Sequence, residues 1–178
     1  ANKYSLLHKG DPYNTDKIDN ERMRFTSEMR NQGYYYFTKE YLVYEVDSGL
    51  ADNVVNIKVI LKNPSEINSS NDSLTVTKHE KYRVGTITLN TSFNPKFTDD
   101  PTDSIHFENL IYVNLSRLKY DPNTFINKRF YSSGEFYSQE AEARTYTRLS
   151  GLNNFKYINI GFSKDDQDTN LLNCNILM

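Results

Sequence analysis

Three kinds of residue in this sequence could do chemistry: scattered histidines, a lone cysteine and two acidic clusters. Asp166-x-Asp168-x-Asn170 has the oxygen spacing with which a calcium loop begins. Leu171 stands where the turning glycine belongs and Leu177 where the bidentate glutamate belongs, so a solvated turn is expected and no metal. Asp99, Asp100 and Asp103 sit in a polar loop with no aromatic or histidine interleaved closely enough to make an acid/base pair, which leaves loop solvation. His8, His79 and His106 have no partner at i+3 or i+4 and belong to no H-E-x-x-H; nor is there a G-x-S-x-G, so solvated histidines are expected. No glycine-rich phosphate loop is present. Cys174 has no second cysteine to pair with, and its place in a strand pattern predicts a buried, inert thiol. The chain therefore reads as a non-enzyme without a cofactor.

Whole-chain quantities narrow the classes further. At 178 residues the chain fits one domain or two small ones. A net charge of -2 and a pI near 5.9 argue against a phosphate-backbone binder, hence no nucleic acid partner. No apolar run approaches the roughly 20 residues that span a bilayer. Ala1 begins in polar sequence, which suggests a piece excised from a longer polypeptide. With 14 Tyr and 10 Phe against no Trp and 7 Gly, aromatic area must supply much of the packing in modules too small for a deep core. That predicts tyrosines that are mostly part-buried; a carbohydrate platform would instead expose several on one face.

The elements that must position any site are clearest at the C-terminal end. Ser138 is a helix N-cap, Ala141, Thr145, Leu149 and Leu152 share one face, Glu140 and Arg144 pair on the wet side, and Gly151 sits where a left-handed C-terminal residue is wanted. Ile158, Ile160 and Phe162 then alternate with polar residues, a polar turn covers Ser163 to Asn170, and Leu172, Cys174, Ile176 and Met178 alternate again. The same order occurs near the start. A helix is expected from about Asp19 to Gln32 with Ile18, Arg22, Phe25 and Met29 on one face, ended by Gly33. The cluster Tyr34 to Phe37 follows, then Leu42, Tyr44, Val46 on one strand and Val55, Ile57, Val59, Leu61 on a second. The chain thus contains a degenerate internal repeat. Residues 64–77 read as a linker by composition. Beyond it come a strand from Tyr82 to Phe93, with Val84, Thr86 and Thr88 on one side and Ile87 and Leu89 on the other, an insertion near 94–120 with an extra strand or hairpin from Ile105, and a helix from Asn123 to about Tyr131 opened by Asp121-Pro122.

Asn20-Glu-Arg22, Arg30-Asn-Gln-Gly33-Tyr-Tyr-Tyr-Phe37, Tyr44-Glu-Val-Asp-Ser48, Gly134-x-x-Tyr137-Ser138, Arg144-Thr145, Leu149-x-x-Leu152-x-x-Phe155-Lys-Tyr157 and Leu172-Asn-Cys174, in this order, resemble POTRA domains of BamA/TamA-superfamily outer-membrane assembly factors, particularly the TamL-like lipoprotein branch. The resemblance implies an α+β chain of two tandem β-α-α-β-β modules, each a small mixed sheet packed against two helices: 1–63, lacking its leading strand and helix, and 78–178. It implies a scaffold on the periplasmic face of the outer membrane, with a transmembrane barrel following in the full-length protein. Docking would be by β-augmentation, in which a client strand pairs with an exposed sheet edge. The edges implied are Leu42, Val43, Tyr44, Glu45 and Val46 in the first module and Tyr157, Ile158, Asn159, Ile160 and Gly161 in the second. Partners would be unfolded outer-membrane β-barrel proteins or a fixed periplasmic partner, the latter making the modules a structural spacer. A surface-exposed glycan- or partner-binding module using its aromatics is the alternative. The sequons at Asn68 and Asn90 have meaning only in a eukaryotic secretory setting, which the resemblance does not imply.

Overall fold

The computed structural model describes residues 4–49, 54–68, 73–93, 103–107, 110–114 and 120–178. Asp99, Asp100 and much of the insertion near 94–120 lie outside them. The chain is α+β and divides into two compact units, one of residues 1–30 and 36–79, the other of 31–35 and 80–178.

The first unit is built on helix α1 (Thr15–Asn31). It starts earlier than the apolar period suggests because Asn14 caps it: the Asn14 side-chain oxygen accepts from the N–H of Asp16 at 2.8 Å and of Lys17 at 3.2 Å. Gly33, at φ +102°, lets the chain leave the helix in the left-handed region. Strands β1 (Leu42–Asp47) and β2 (Asn56–Leu61) pair antiparallel, Leu42 opposite Leu61 and Asp47 opposite Asn56. Residues 64–77, expected as a linker, instead carry strands β3 (Ser65–Asn68) and β4 (Ser73–Val76), paired antiparallel and closed by the Thr77 N–H on the Pro64 carbonyl at 3.0 Å. Polar composition here marks an exposed hairpin, with Leu74 and Val76 in solvent. His79 is not simply solvated either. Its ring lies 4.9 Å from Phe37 and 4.7 Å from Tyr41, and its Nε2 meets the Lys62 carbonyl at 2.9 Å.

The second unit is a five-stranded mixed sheet in the order β6-β7-β5-β9-β8, comprising β5 (Arg83–Asn90), β6 (Asp103–Phe107), β7 (Leu110–Asn114), β8 (Asn159–Lys164) and β9 (Leu171–Leu177). β5 runs parallel to both β7 and β9, while β6 and β8 are antiparallel to their neighbours. The expected insertion strand is therefore the hairpin β6–β7, added beside β5. A register shift between Val84 and Ile87 breaks the simple alternation in β5. That bulge places Val84 on the core face with Ile87 and Leu89, against the strict period-2 reading that put Val84 with the threonines. At Gly85 an added Cβ would come within 2.6 Å of the Asn173 Oδ1, the atom that accepts the Thr86 N–H at 3.0 Å.

Helix α2 (Asn123–Ile126) and helix α3 (Gln139–Ser150) lie in the same unit. α2 is one turn long, where the sequence predicted a helix to Tyr131. It stops because the Phe130 N–H goes to the Thr145 hydroxyl at 2.9 Å and Tyr131 turns into the core, its hydroxyl 3.2 Å from the Cys174 sulfur. α3 is capped by Ser138, whose hydroxyl accepts the Ala141 N–H at 3.3 Å, and Glu140 pairs with Arg144. Gly151 keeps right-handed angles; the left-handed residue is Asn153, two positions later. The core joins Val84, Ile87, Leu89, Leu110, Tyr112, Phe125, Tyr131, Leu149, Cys174 and Ile176.

Candidate functional site

Among the described residues no three His, Cys, Asp or Glu side chains come close enough together to hold a metal ion. In the 165–170 turn the carboxylates serve the backbone: Asp165 accepts from the N–H of Gln167 and Asp168, and Asp168 from that of Asn170. Burial pushes the Cys174 thiol up to about 12. Tyr131 beside it is raised by the same cause. His8 sits exposed beside Asp11, and His106 is exposed beside Ser104. Among the described residues no helix is long and apolar enough to cross a membrane.

What the fold does leave open is backbone. In an antiparallel ladder, pairs that exchange two hydrogen bonds alternate with pairs that exchange none, and the latter direct their N–H and C=O outward. The Asp165 N–H donates to the Leu171 carbonyl at 3.0 Å, so Ser163/Asn173, Gly161/Asn175 and Asn159/Leu177 are bonded pairs. Ile160, Phe162 and Lys164 are then the outward positions of β8, and among the described residues β9 is its sole neighbour in the sheet. Strand β8 begins at Asn159, so two residues expected at this edge fall outside it. Tyr157 is exposed with its ring 5.7 Å from Phe93, and Ile158 packs against the core. The strand runs past Phe162 to Lys164, two residues into the stretch expected as a polar turn. Alternation alone cannot show where a strand stops; the Asp165 turn does. Gly161 faces open space, with nothing within 4 Å of an added Cβ.

The same count applies to the first unit. The Lys62 N–H donates to the Tyr41 carbonyl at 2.8 Å, making Val43/Ile60, Glu45/Lys58 and Asp47/Asn56 the bonded pairs. Leu42, Tyr44 and Val46 point their backbone groups away from β2. The Leu42 N–H is used by the Lys39 carbonyl, which leaves Tyr44 and Val46. Val43 and Glu45 thus bond inward to β2, and only alternate members of the expected edge offer groups to a guest. On the opposite margin Ile57, Val59 and Leu61 of β2 point outward, a second edge that the sequence reading did not single out. These residues also wall a groove of about 1000 Å³, lined further by Leu42, Tyr44 and Phe25. Glu21 sits beneath its rim, its carboxylate held by Arg24 at 2.8 and 2.9 Å and accepting the Leu6 N–H at 2.8 Å. The Arg24 hydrogen bond holds the Glu21 carboxyl below the usual range.

The tyrosines divide by element. Tyr82, Tyr112, Tyr131 and Tyr137 are buried, Tyr34, Tyr35, Tyr41, Tyr44 and Tyr120 half-buried, and Tyr4, Tyr13, Tyr36, Tyr146 and Tyr157 exposed on separate segments.

No family profile and no curated protein matches the chain. Among solved structures it is similar to BamA from Haemophilus ducreyi lacking POTRA domains 1–3, with a TM-score of 0.59 and 10% identity over 96% of this chain and 24% of that one. It is also similar to POTRA3–5 of BamA from Haemophilus influenzae, with a TM-score of 0.52 and 10% identity over 98% of this chain and 52% of that one. The chain spans about a quarter of the length of the first and about half of the second. At such identity the likeness is one of architecture: this is an α+β chain with a POTRA-like fold, a small mixed sheet with few helices and, among the described residues, no closed barrel.

Proposed function

We propose that the chain is a non-catalytic protein-docking scaffold on the periplasmic face of the outer membrane, part of a BamA/TamA-type assembly or translocation factor, with the motif order favouring the TamL-like branch. It takes up extended segments of unfolded β-barrel clients, or of a periplasmic partner, by adding them as strands to its sheets. The observation that carries this reading is the outer position of β8, whose Ile160 and Phe162 present backbone groups to no other strand among the described residues. Such an edge binds mainly through main-chain hydrogen bonds, which tolerates many client sequences and suits a scaffold serving many barrels. The aromatic composition supports packing over a glycan platform, since the exposed tyrosines are distributed over separate segments.

A photoreactive residue at Asn159 or Val43 tests the proposal in cells. Capture of many unfolded outer-membrane proteins supports the chaperone-like role. Capture of one discrete protein points to the spacer role, and capture of none refutes docking at these edges.

A further inference from the structure

Two glycines interrupt strands of the second unit, and the fold accounts for only one of them. Gly85 stands at the bulge of β5, where an added Cβ would come within 2.6 Å of the Asn173 Oδ1, so its missing side chain makes room for a neighbour. Gly161 lies in the middle of β8, where a glycine offers nothing to pack and loosens the backbone. Glycine inside a strand marks a bulge, a tight bend, or a place where another molecule comes close to the backbone. The register of β8 on β9 runs without a shift from Asn159/Leu177 to Lys164/Leu172, which removes the bulge and the bend. Gly161 is also absent from the residues of positive φ, and nothing lies within 4 Å of an added Cβ, so no group among the described residues requires the gap. What is left is approach from outside.

The surroundings say what can approach. Ile160 and Phe162 pack against the core, so alternation sends Gly161 to the opposite face of the sheet. There it lies between Asn159 and Ser163 on its own strand and across from Asn175 on β9, all three exposed, short and uncharged. A side chain is thus missing from an otherwise continuous polar face, on the margin that has no neighbouring strand among the described residues. The bonding pattern sharpens this. Gly161 spends its own N–H and C=O on Asn175, so an antiparallel guest bonded to Ile160 and Phe162 would set one of its residues opposite Gly161 in a pair without hydrogen bonds, the kind in which side chains come closest.

We propose that Gly161 is the specificity position of the β8 edge and that it seats an aromatic ring carried by the guest residue opposite it. A ring is flat enough to lie over a bare Cα and wide enough to reach Asn159 or Ser163, and an aromatic placed across from an edge glycine stabilises the pairing for that reason. With no charge on the flanking side chains, an acidic or basic guest residue gains nothing there. The preferred guest is then an extended segment with apolar residues on one face, beside Ile160 and Phe162, and an aromatic at the centre of the other. This rests on strand addition at β8 as proposed above and names the guest that the edge prefers.

Two peptides test it, both alternating with apolar residues on one face and differing only at the centre of the other, tyrosine in one and alanine in the second. Each is titrated into the 178-residue chain and followed by NMR. Both peptides shift the Ile160 and Phe162 amides, and the tyrosine peptide binds about two- to fivefold more tightly, the range of a cross-strand aromatic pair. Its ring moves the two Gly161 Hα resonances upfield and gives Overhauser contacts to them. Gly161→Thr fills the position with a residue that suits a strand and abolishes the preference between the peptides. Equal affinity of the two peptides for the parent chain, a ring without contact to Gly161, or a preference that survives Gly161→Thr overturns the proposal, while the shifts at Ile160 and Phe162 still uphold strand addition. Absence of those shifts with either peptide overturns both.

Discussion

Replacing Gly85 by alanine puts one methyl group where the bulge of β5 meets the Asn173 side chain of β9. The new Cβ would lie 2.6 Å from the Asn173 Oδ1, 3.5 Å from the Leu172 carbonyl oxygen and 3.6 Å from the Leu171 Cβ. Asn173 cannot simply swing away, because its Oδ1 accepts the Thr86 N–H at 3.0 Å and its Nδ2 donates to Asp165 at 2.8 Å. Overpacking of this kind costs about 1–3 kcal/mol. Loss of the Thr86 hydrogen bond adds about 0.5–1.5 kcal/mol, for a total of about 1.5–4.5 kcal/mol. Urea unfolding followed through amides of the second unit reads this as a lower midpoint at unchanged slope. Gly161→Ala in the same sheet is the control, since an added Cβ there meets nothing within 4 Å, and a change within about 0.5 kcal/mol is expected. On an Asn173→Ala background Gly85→Ala should cost markedly less, because the clashing oxygen is gone. Equal costs for the two glycines, or for Gly85→Ala on both backgrounds, would refute the bulge argument.

Other consequences follow from single groups. Thr145→Val keeps the shape of a fully buried side chain and removes the acceptor of the Phe130 N–H; a loss of about 1–3 kcal/mol in urea unfolding is expected, and none would contradict that hydrogen bond's role. Cys174, with its thiol raised to about 12, should resist a thiol reagent at pH 8 in the folded chain and react fully in denaturant; rapid reaction of the native protein would show the core to be open. The Glu21 carboxyl, held below its ordinary 4.5 first by the Arg24 hydrogen bond, stabilises the first unit fully above 4.5 and ceases to as pH falls through its lowered folded-state value. Glu21→Gln should therefore be less stable than the parent at neutral pH and lose less on acidification, and a parallel acid limb for both proteins would contradict the linkage.

Much of this fold is legible in the sequence because alternation and capping are local signals. Ser138 is read correctly as a cap because its partner lies three residues on, and β9 because Leu172, Cys174 and Ile176 alternate without interruption. The failures occur where distant residues decide. The bulge in β5 depends on Asn173, the early end of α2 on Thr145, and neither partner is near in sequence. The β3–β4 hairpin was obscured because an exposed two-stranded ribbon buries little and so needs no apolar pattern. The edges are half-legible: period 2 says which side chains share a face, but whether a margin has a neighbour is a property of topology, and no local pattern reveals it. The exposed face of β2 shows the same limit, since its alternation is that of a buried strand.

The docking account is tested most directly by amide-resolved NMR during titration with an extended, alternating segment of an outer-membrane β-barrel protein. Strand addition predicts that the amides of Ile160 and Phe162 on β8, or of Tyr44 and Val46 on β1, shift and slow in exchange, while the inward amides of Gly161 and Glu45 change little. Binding that leaves all four outward amides unchanged, or no binding at all, contradicts it.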